Sequence, residues 1–400
     1  MENQTQSIRL VSIIILGALT AIGAMSIDMF LPGLPEVKRD FDTTTSHTQL
    51  TLGLFMVGLA VGNLFTGPLS DTYGRVKPLL IAMLMFTIAS IGIIFAPHIW
   101  VMIILRFIQG FCGGAGAVLS RSIASDMYQG KALTQFMAML MLVNGIAPVI
   151  APAIGGIIIT ISHWQMVFIV LTVFGLSLFV GSLVKIEETL SSNQREVLAL
   201  GSIFRNFKSL LIKPQFLIPM LIQGFAFVIL FSYISASSFI TQEIYHLSAF
   251  QFSLAFAFVG LTLIGMSQVT QKMVESYSES TLLRLMISMQ MIGILCVSLI
   301  LLLHWHVLLL IMSFAILVSP VPAIATLSFS IAMSETTKGR GSASSLIGLV
   351  QYLFGGIVTP LVGIRGDTHI EPYVLIIIIT GIILLILLFI YNKTFNSSKE

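Results

Sequence analysis

Residues 48–96 read TQLTLGLFMVGLAVGNLFTGPLSDTYGRVKPLLIAMLMFTIASIGIIFA. Two apolar runs, 48–70 and 76–96, flank a short gap holding Asp71, Arg75 and Lys77. A helix needs about 20 mostly apolar residues to cross the ~30 Å hydrocarbon core, and each run meets that length. Helices satisfy their own backbone polar groups, which lipid cannot do. Barrel strands would be only ~9–11 residues long and alternate in polarity.

The same pattern continues along the chain. Apolar stretches at 9–34, 48–70, 76–96, 98–121, 133–160, 164–185, 214–239, 249–271, 282–303, 305–332, 340–362 and 372–392 predict twelve transmembrane helices. Of 400 residues, 56% are hydrophobic and 9% charged, against roughly 25% charged in soluble domains. The fold class expected is an all-α, multi-pass membrane protein of the cell (plasma or inner) membrane, with the lipid bilayer as its partner.

Charge placement orients it. With both termini cytoplasmic, sixteen Lys and Arg fall inside; Lys38, Arg39 and Arg365 fall outside, and Arg106 lies within a span. That bias follows the positive-inside tendency. Basic residues spread over every inner loop exclude the single basic patch of a nucleic-acid binder.

The longest polar stretch, 186–213, divides the chain. Expected are an N-terminal six-helix bundle (1–185), a cytoplasmic linker (186–213) and a C-terminal six-helix bundle with a short cytoplasmic tail (214–400). Two pseudo-symmetric bundles with a substrate site between them near the midplane is a carrier layout. Linker residues 196–211 have spaced apolar residues that fit an amphipathic helix on the inner membrane surface.

Other chemistries find little support. No nucleophile–base constellation suggests an enzyme. Cys112 to Gly116 is glycine-rich but lacks the Lys-Ser/Thr of a nucleotide loop. Cys112 and Cys296 fall inside spans and read as small hydrophobes. His47, His98, His163, His246, His304, His306 and His369 all fall near outer loops; no metal-ligand spacing recurs, so no metal is expected. Ordinary loop polarity is the simpler reading, external pH sensing the alternative. The run 9–34 is too long for a signal peptide.

Two charges remain stranded in hydrocarbon: Asp28 and Arg106. An ionisable group inside a membrane helix costs at least ~2.5–3.5 kcal/mol and by default marks a substrate or ion pathway. Asp28 lies six residues before Leu34, about 9 Å from the outer end of its span at 1.5 Å per residue. Arg106 lies eight residues after His98, about 12 Å from the outer end of its own. The two therefore share a depth.

Three motifs carry a family resemblance. Gly67-Pro68-Leu69-Ser70-Asp71-Thr72-Tyr73-Gly74-Arg75-Val76-Lys77 resembles the cytoplasmic signature Gly-x-Leu-x-Asp-x-x-Gly-Arg of the major facilitator superfamily. Arg106-Phe107-Ile108-Gln109-Gly110 is similar to that family's Arg-x-x-Gln-Gly element. In span five, Gly145, Pro148, Pro152, Gly155 and Gly156 resemble its antiporter signature, with Ala151 where the pattern has Gly. Asp28 to Pro35, Trp164 and Gly341 to Ser345 further resemble the Bcr/CflA (bicyclomycin and chloramphenicol resistance) branch, with Gln165 where that branch commonly has Arg.

The resemblance implies a twelve-helix, proton-coupled drug antiporter without cofactor, working as a monomer. It implies that Asp71 faces the N-terminus of span eleven and that Arg75 pairs with Asp126 as a cytoplasmic gate. It also sets Asp28 and Arg106 face to face, or one water apart, in the cavity. Burial and neighbouring charge both set a carboxyl's proton affinity, so moving Arg106 relative to Asp28 would switch proton binding. Cavity walls are expected from Met25, Asn63, Gln109, Asn144, Gln223, Phe227, Tyr233, Gln351 and Phe354. Apolar and aromatic walls with a few amides suit small amphipathic drugs. The alternatives are a carrier of an endogenous metabolite and a membrane sensor that transports nothing.

Overall fold

The computed structural model describes residues 2–128, 130–191, 193, 195, 200–334 and 340–396, apart from the side chains of 2–12 and several others, Asn144 among them. Their secondary structure is helical. Among the described residues, eleven helices are long and apolar enough to span a membrane. The 32-residue helix α6 (Gly130–Ile161) is the remaining long one. "Inner" and "outer" below follow the Lys/Arg bias.

In the N-terminal half, α1 (Glu2–Asp28) is followed by α2 (Leu34–Asp40), α3 (Thr45–Tyr73), α4 (Val76–Ile94), α5 (Ile99–Met127), α6 and α7 (Gln165–Lys185). The linker contributes α8 (Leu200–Leu211). The C-terminal half holds α9 (Pro214–Phe239), α10 (Ala249–Met273), α11 (Glu279–Leu302), α12 (Val307–Val318), α13 (Val321–Ser334), α14 (Arg340–Val362) and α15 (Glu371–Asn396).

Two expected spans are interrupted, both by proline. The run 305–332 divides into α12 and α13 around Ser319-Pro320. Proline has no N–H to donate and its ring clashes with the preceding turn. The first span stops being α-helical at Asp28 and continues as a 3₁₀ turn, Leu31–Gly33, before α2. Pro32 and Pro35 cannot donate to the carbonyls four residues back, those of Asp28 and Leu31. The other half of the molecule uses one of these, Ser238 Oγ donating to Leu31 O (2.7 Å), and beside it Gln242 Nε2 donates to Pro32 O (3.3 Å). Gln242 lies in a π-helical turn, Ile240–Ile244, that extends α9.

The tightest pairing inside the N-terminal half is α3 on α5. A Cβ on Gly58 would overlap Phe107 O, and one on Gly110 would overlap Phe55 O. Small residues let membrane helices approach backbone to backbone. This contact brings Phe55 over the Arg106 side chain.

The α8 helix is not free on the membrane surface, as the sequence suggested. Phe207 and Leu210 are buried against Phe216, Ala343 and Leu346, so its apolar face docks on α9 and α14.

Candidate functional site

Asp28 ends α1 at the proline-made break. It is 5% exposed and is the only buried carboxylate among the described residues. Just beyond it, Leu31 O and Pro32 O accept hydrogen bonds from Ser238 and Gln242 of the other half. Asp28 therefore sits beside the seam between the halves, at the end of a helix whose dipole disfavours a negative charge there.

Arg106 is fully buried. Its Nη1 donates to Ser26 O (3.1 Å) and to Gln109 Oε1 (2.7 Å). The guanidinium lies over Phe55 (4.3 Å), with Phe30 and Phe168 at 5.1 and 5.6 Å. Cation–π contacts strengthen when desolvated. Gln109 Nε2 in turn donates to Ser90 Oγ (2.7 Å).

Of the two expected arrangements, direct contact and separation by one water, the direct one is not seen: Asp28 and Arg106 share no ion pair among the described residues. Arg106 instead takes the backbone carbonyl of Ser26, two residues before Asp28. Arg106 holds the helix that bears the carboxylate, not the carboxylate itself.

The expected cavity residues separate into groups. Gln223 and Gln351 meet, Nε2 to Oε1, at 3.1 Å, and Phe354 packs on Phe225 at 5.2 Å. Phe227 lies 5.7 Å from Phe231, which reaches Tyr352 at 6.1 Å. These form one wall from α9 and α14. Met25 on α1 and Asn63 on α3 are half-buried on the opposite half. Gln109 is not a wall residue: one turn from Arg106, it shares that residue's face and is completely buried. Tyr233 packs inside its own half, stacked on Phe256 (5.5 Å) and against Phe314 (4.9 Å), beside a cavity of only about 10 Å³. The side chain of Asn144 lies outside the described residues. Tyr352 was missed by the sequence reading; a Tyr directly after Gln351 in an apolar span was the available signal.

At the inner end, Arg75 Nε donates to Asp126 Oδ2 (3.0 Å), and its Nη1 to Asp71 Oδ1 (2.5 Å) and Ser70 Oγ (2.6 Å). Burial opposes the Arg75 charge, but the hydrogen bonds it donates to Asp71 and Asp126, with the negative charge of both, outweigh it and hold the guanidinium above its ordinary value. Among the described residues the partner of Asp71 is Arg75, across the turn that follows α3; residues 335–339, which lead into the start of α14 that the family pattern implied for it, lie outside the described residues. Gly67 has open space around it, whereas Gly74 adopts φ +90°, a conformation other residues rarely take.

The linker joins this group, which the sequence did not suggest. Glu188 Oε1 accepts from Arg75 N (2.8 Å), Glu188 Oε2 from Val76 N (3.2 Å), and Thr189 Oγ1 donates to Asp126 Oδ2 (2.8 Å). Burial raises the Glu188 carboxyl, but these backbone donors, the N–H of Leu190 and nearby Arg195 hold it below its ordinary value.

The span-five motif divides by depth. Gly145 faces open space. Pro148 and Pro152 lie within α6 without ending it. A Cβ on Gly155 would overlap Met29 O at the α1 break, and one on Gly156 would overlap Ser253 Oγ of α10.

The fold and these motifs agree with comparison to known proteins. The family model described as Major Facilitator Superfamily matches residues 16–360. The chain belongs to the major facilitator superfamily. It is 34% identical over 385 residues to an uncharacterized MFS-type transporter, YdgK, of Bacillus subtilis, covering 96% of each chain. It is 31% identical to a bicyclomycin resistance protein homolog of Haemophilus influenzae, covering 92% of each. Among solved structures it resembles the nucleoside transporter NupG (TM-score 0.77, 12% identity, covering 97% of this chain and 100% of the other). It also resembles the xylose transporter XylE of E. coli (TM-score 0.72, 12% identity, 95% and 97%). The protein is a multi-pass membrane transporter of small molecules, not an enzyme, and its relatives include drug-resistance proteins.

Proposed function

We propose that this transporter exports small amphipathic drugs in exchange for protons by alternating access, as a monomer and without a cofactor. The observation that carries the reading is Asp28: the one buried carboxylate among the described residues, without an ion-pair partner among them, at a helix break beside the seam between the halves. A group so placed exchanges a proton more readily than it holds a permanent charge. Arg106 supplies the switch. In the arrangement described here it is committed to Ser26 and Gln109. In the alternate arrangement it releases Ser26 and meets Asp28, expelling the proton. Likeness to a bicyclomycin resistance protein homolog supports the drug class.

The test is substrate-induced proton movement in inside-out vesicles, wild type against Asp28→Asn, over a panel of antibiotics and dyes. A compound that collapses the pH gradient only with wild type is expected. Full coupling retained by Asp28→Asn removes Asp28 from the mechanism. No proton movement with any compound turns the reading towards a dedicated metabolite carrier.

A further inference from the structure

The start of the linker makes specific contacts that the family motifs leave unexplained. Chain leaving α7 turns at Ile186, which is buried, and lays Glu188 against the turn between α3 and α4. One Glu188 oxygen takes the N–H of Arg75, the other that of Val76, so the carboxylate caps the first turn of α4. Carboxylates are favoured there by the helix dipole and the unpaired N–H groups. The fit needs Gly74: a Cβ at that position would overlap the Glu188 carboxylate. One residue on, Thr189 donates to Asp126 Oδ2, the same oxygen that receives Arg75 Nε. Two consecutive linker residues therefore engage both partners of the Arg75–Asp126 pair, one through backbone and one through side chain.

The far end of the linker is anchored to the other half. Phe207 and Leu210 of α8 are buried against α9 and α14, and Asn206 Nδ2 approaches Ser342 Oγ (3.4 Å). The linker is thus attached at one end to the Arg75 turn and at the other to the start of α14. Those are the two surfaces that must approach each other if the inner side closes. The hydrogen bonds described between the halves all lie at the outer end instead, among them Ser46 Oγ to Pro360 O (2.8 Å) and Gln49 Nε2 to Ser235 O (3.2 Å).

We propose that Glu188 and Thr189 are positioning residues of the cytoplasmic gate: they clamp the Arg75 turn to the linker and so stabilise the state closed outside and open inside. This rests on alternating access, not on the proton or drug assignment. Closing the inner side requires the Arg75 turn to exchange its linker contacts for contacts with the other half. The clamp sets how readily that exchange occurs.

The full-length protein in nanodiscs tests this, with Cys112 and Cys296 replaced by Ala. Spin labels go at two exposed inner-end positions, Val184→Cys on α7 and Tyr277→Cys after α10. The interlabel distance distribution is compared for the parent, Glu188→Gln, Thr189→Val and the double variant. The double variant is expected to raise the short-distance, inner-closed population about tenfold relative to the open one, equivalent to about 1.4 kcal/mol. Glu188→Asp, which keeps the charge, is expected to recover part of the shift. An unchanged distribution overturns the proposal. So does an equal shift by Glu188→Asp and Glu188→Gln, which would mark simple linker disruption. Asp28→Asn assayed in parallel reports on the transport reading separately, since it leaves these contacts untouched.

Discussion

The outer seam and the inner mouth close by different chemistry. At the outer seam, short side chains donate to backbone carbonyls across the halves, and glycines let backbones touch: a Cβ on Gly53 would overlap both Gly356 O and Thr359 Oγ1. Charge takes little part there, with Lys38 and Asp367 supplying the ion pair that bridges the halves. At the inner mouth, the interactions run among charged side chains of one half and the linker: Arg75 with Asp71 and Asp126, Glu188 on the Arg75 turn. Backbone contact at glycine tolerates no intermediate spacing, whereas long charged arms trade one partner for another at modest cost. The seam is built to be shut or apart, the mouth to be re-paired.

That contrast can be broken most severely at the glycines. Gly53→Val places atoms where Gly356 O and Thr359 stand, and overpacking of this kind costs typically ~1–3 kcal/mol. The outer seam should fail to close. Thr45, 1% exposed here, then becomes reachable: a Thr45→Cys reporter should label from outside with a membrane-impermeant maleimide about tenfold faster in the Gly53→Val background. Unchanged labelling would mean the seam closes by another route.

A smaller effect is expected from the inner charges. Arg75→Ala removes hydrogen bonds to two carboxylates, worth ~1.5–3 kcal/mol to a charged group. The lower end applies, because the Asp71 side chain is 45% exposed. A lower melting temperature in detergent is expected, partly recovered by Arg75→Lys; an unaltered melting curve would show that the pair holds nothing.

Smaller again is Lys38→Ala. Both partners are about one-quarter exposed, and such pairs contribute roughly 0–1 kcal/mol. Maleimide labelling of Thr45→Cys should rise less than about fivefold, and a rise as large as that of Gly53→Val would contradict the contrast drawn above.

The least effect is expected from pH in the neutral range. Glu188 titrates below its ordinary value of 4.5. A carboxyl so lowered contributes stability that is fully present above the ordinary value and lost as pH falls through the lowered one. Linker docking, followed by limited proteolysis at 186–213, should be constant from about pH 5.5 to 8 and loosen only below about pH 4.5. Loosening near pH 6 would indicate a different titrating group.

Much of this molecule is legible without coordinates. Runs of about twenty apolar residues announce the spans, because lipid demands them. The pairing of Arg75 with Asp126 was legible only through the family resemblance, and the structure makes that contact. The breaks in the first and tenth spans were not read from the sequence: Pro32, Pro35 and Pro320 each remove a helix donor, but so do Pro148 and Pro152, which α6 carries without ending. Two buried charges were visible as charges in hydrocarbon.

What hydropathy does not carry is rotation about each helix axis. Lipid-facing and core-facing positions are both apolar, so the pattern cannot say which face of a span looks inward. For that reason the sequence placed Gln109 and Tyr233 on the cavity wall and Arg106 opposite Asp28. Packing turned Gln109 towards Ser90 and Tyr233 towards Phe256 and Phe314, and it gave Arg106 to the backbone of Ser26. The Glu188 contact is likewise tertiary: an acid in a polar linker shows no periodicity, and its partners are backbone N–H groups more than 110 residues away. Sequence alone determined the spans and which charges must be buried. The partner of each buried group was decided only when the helices docked.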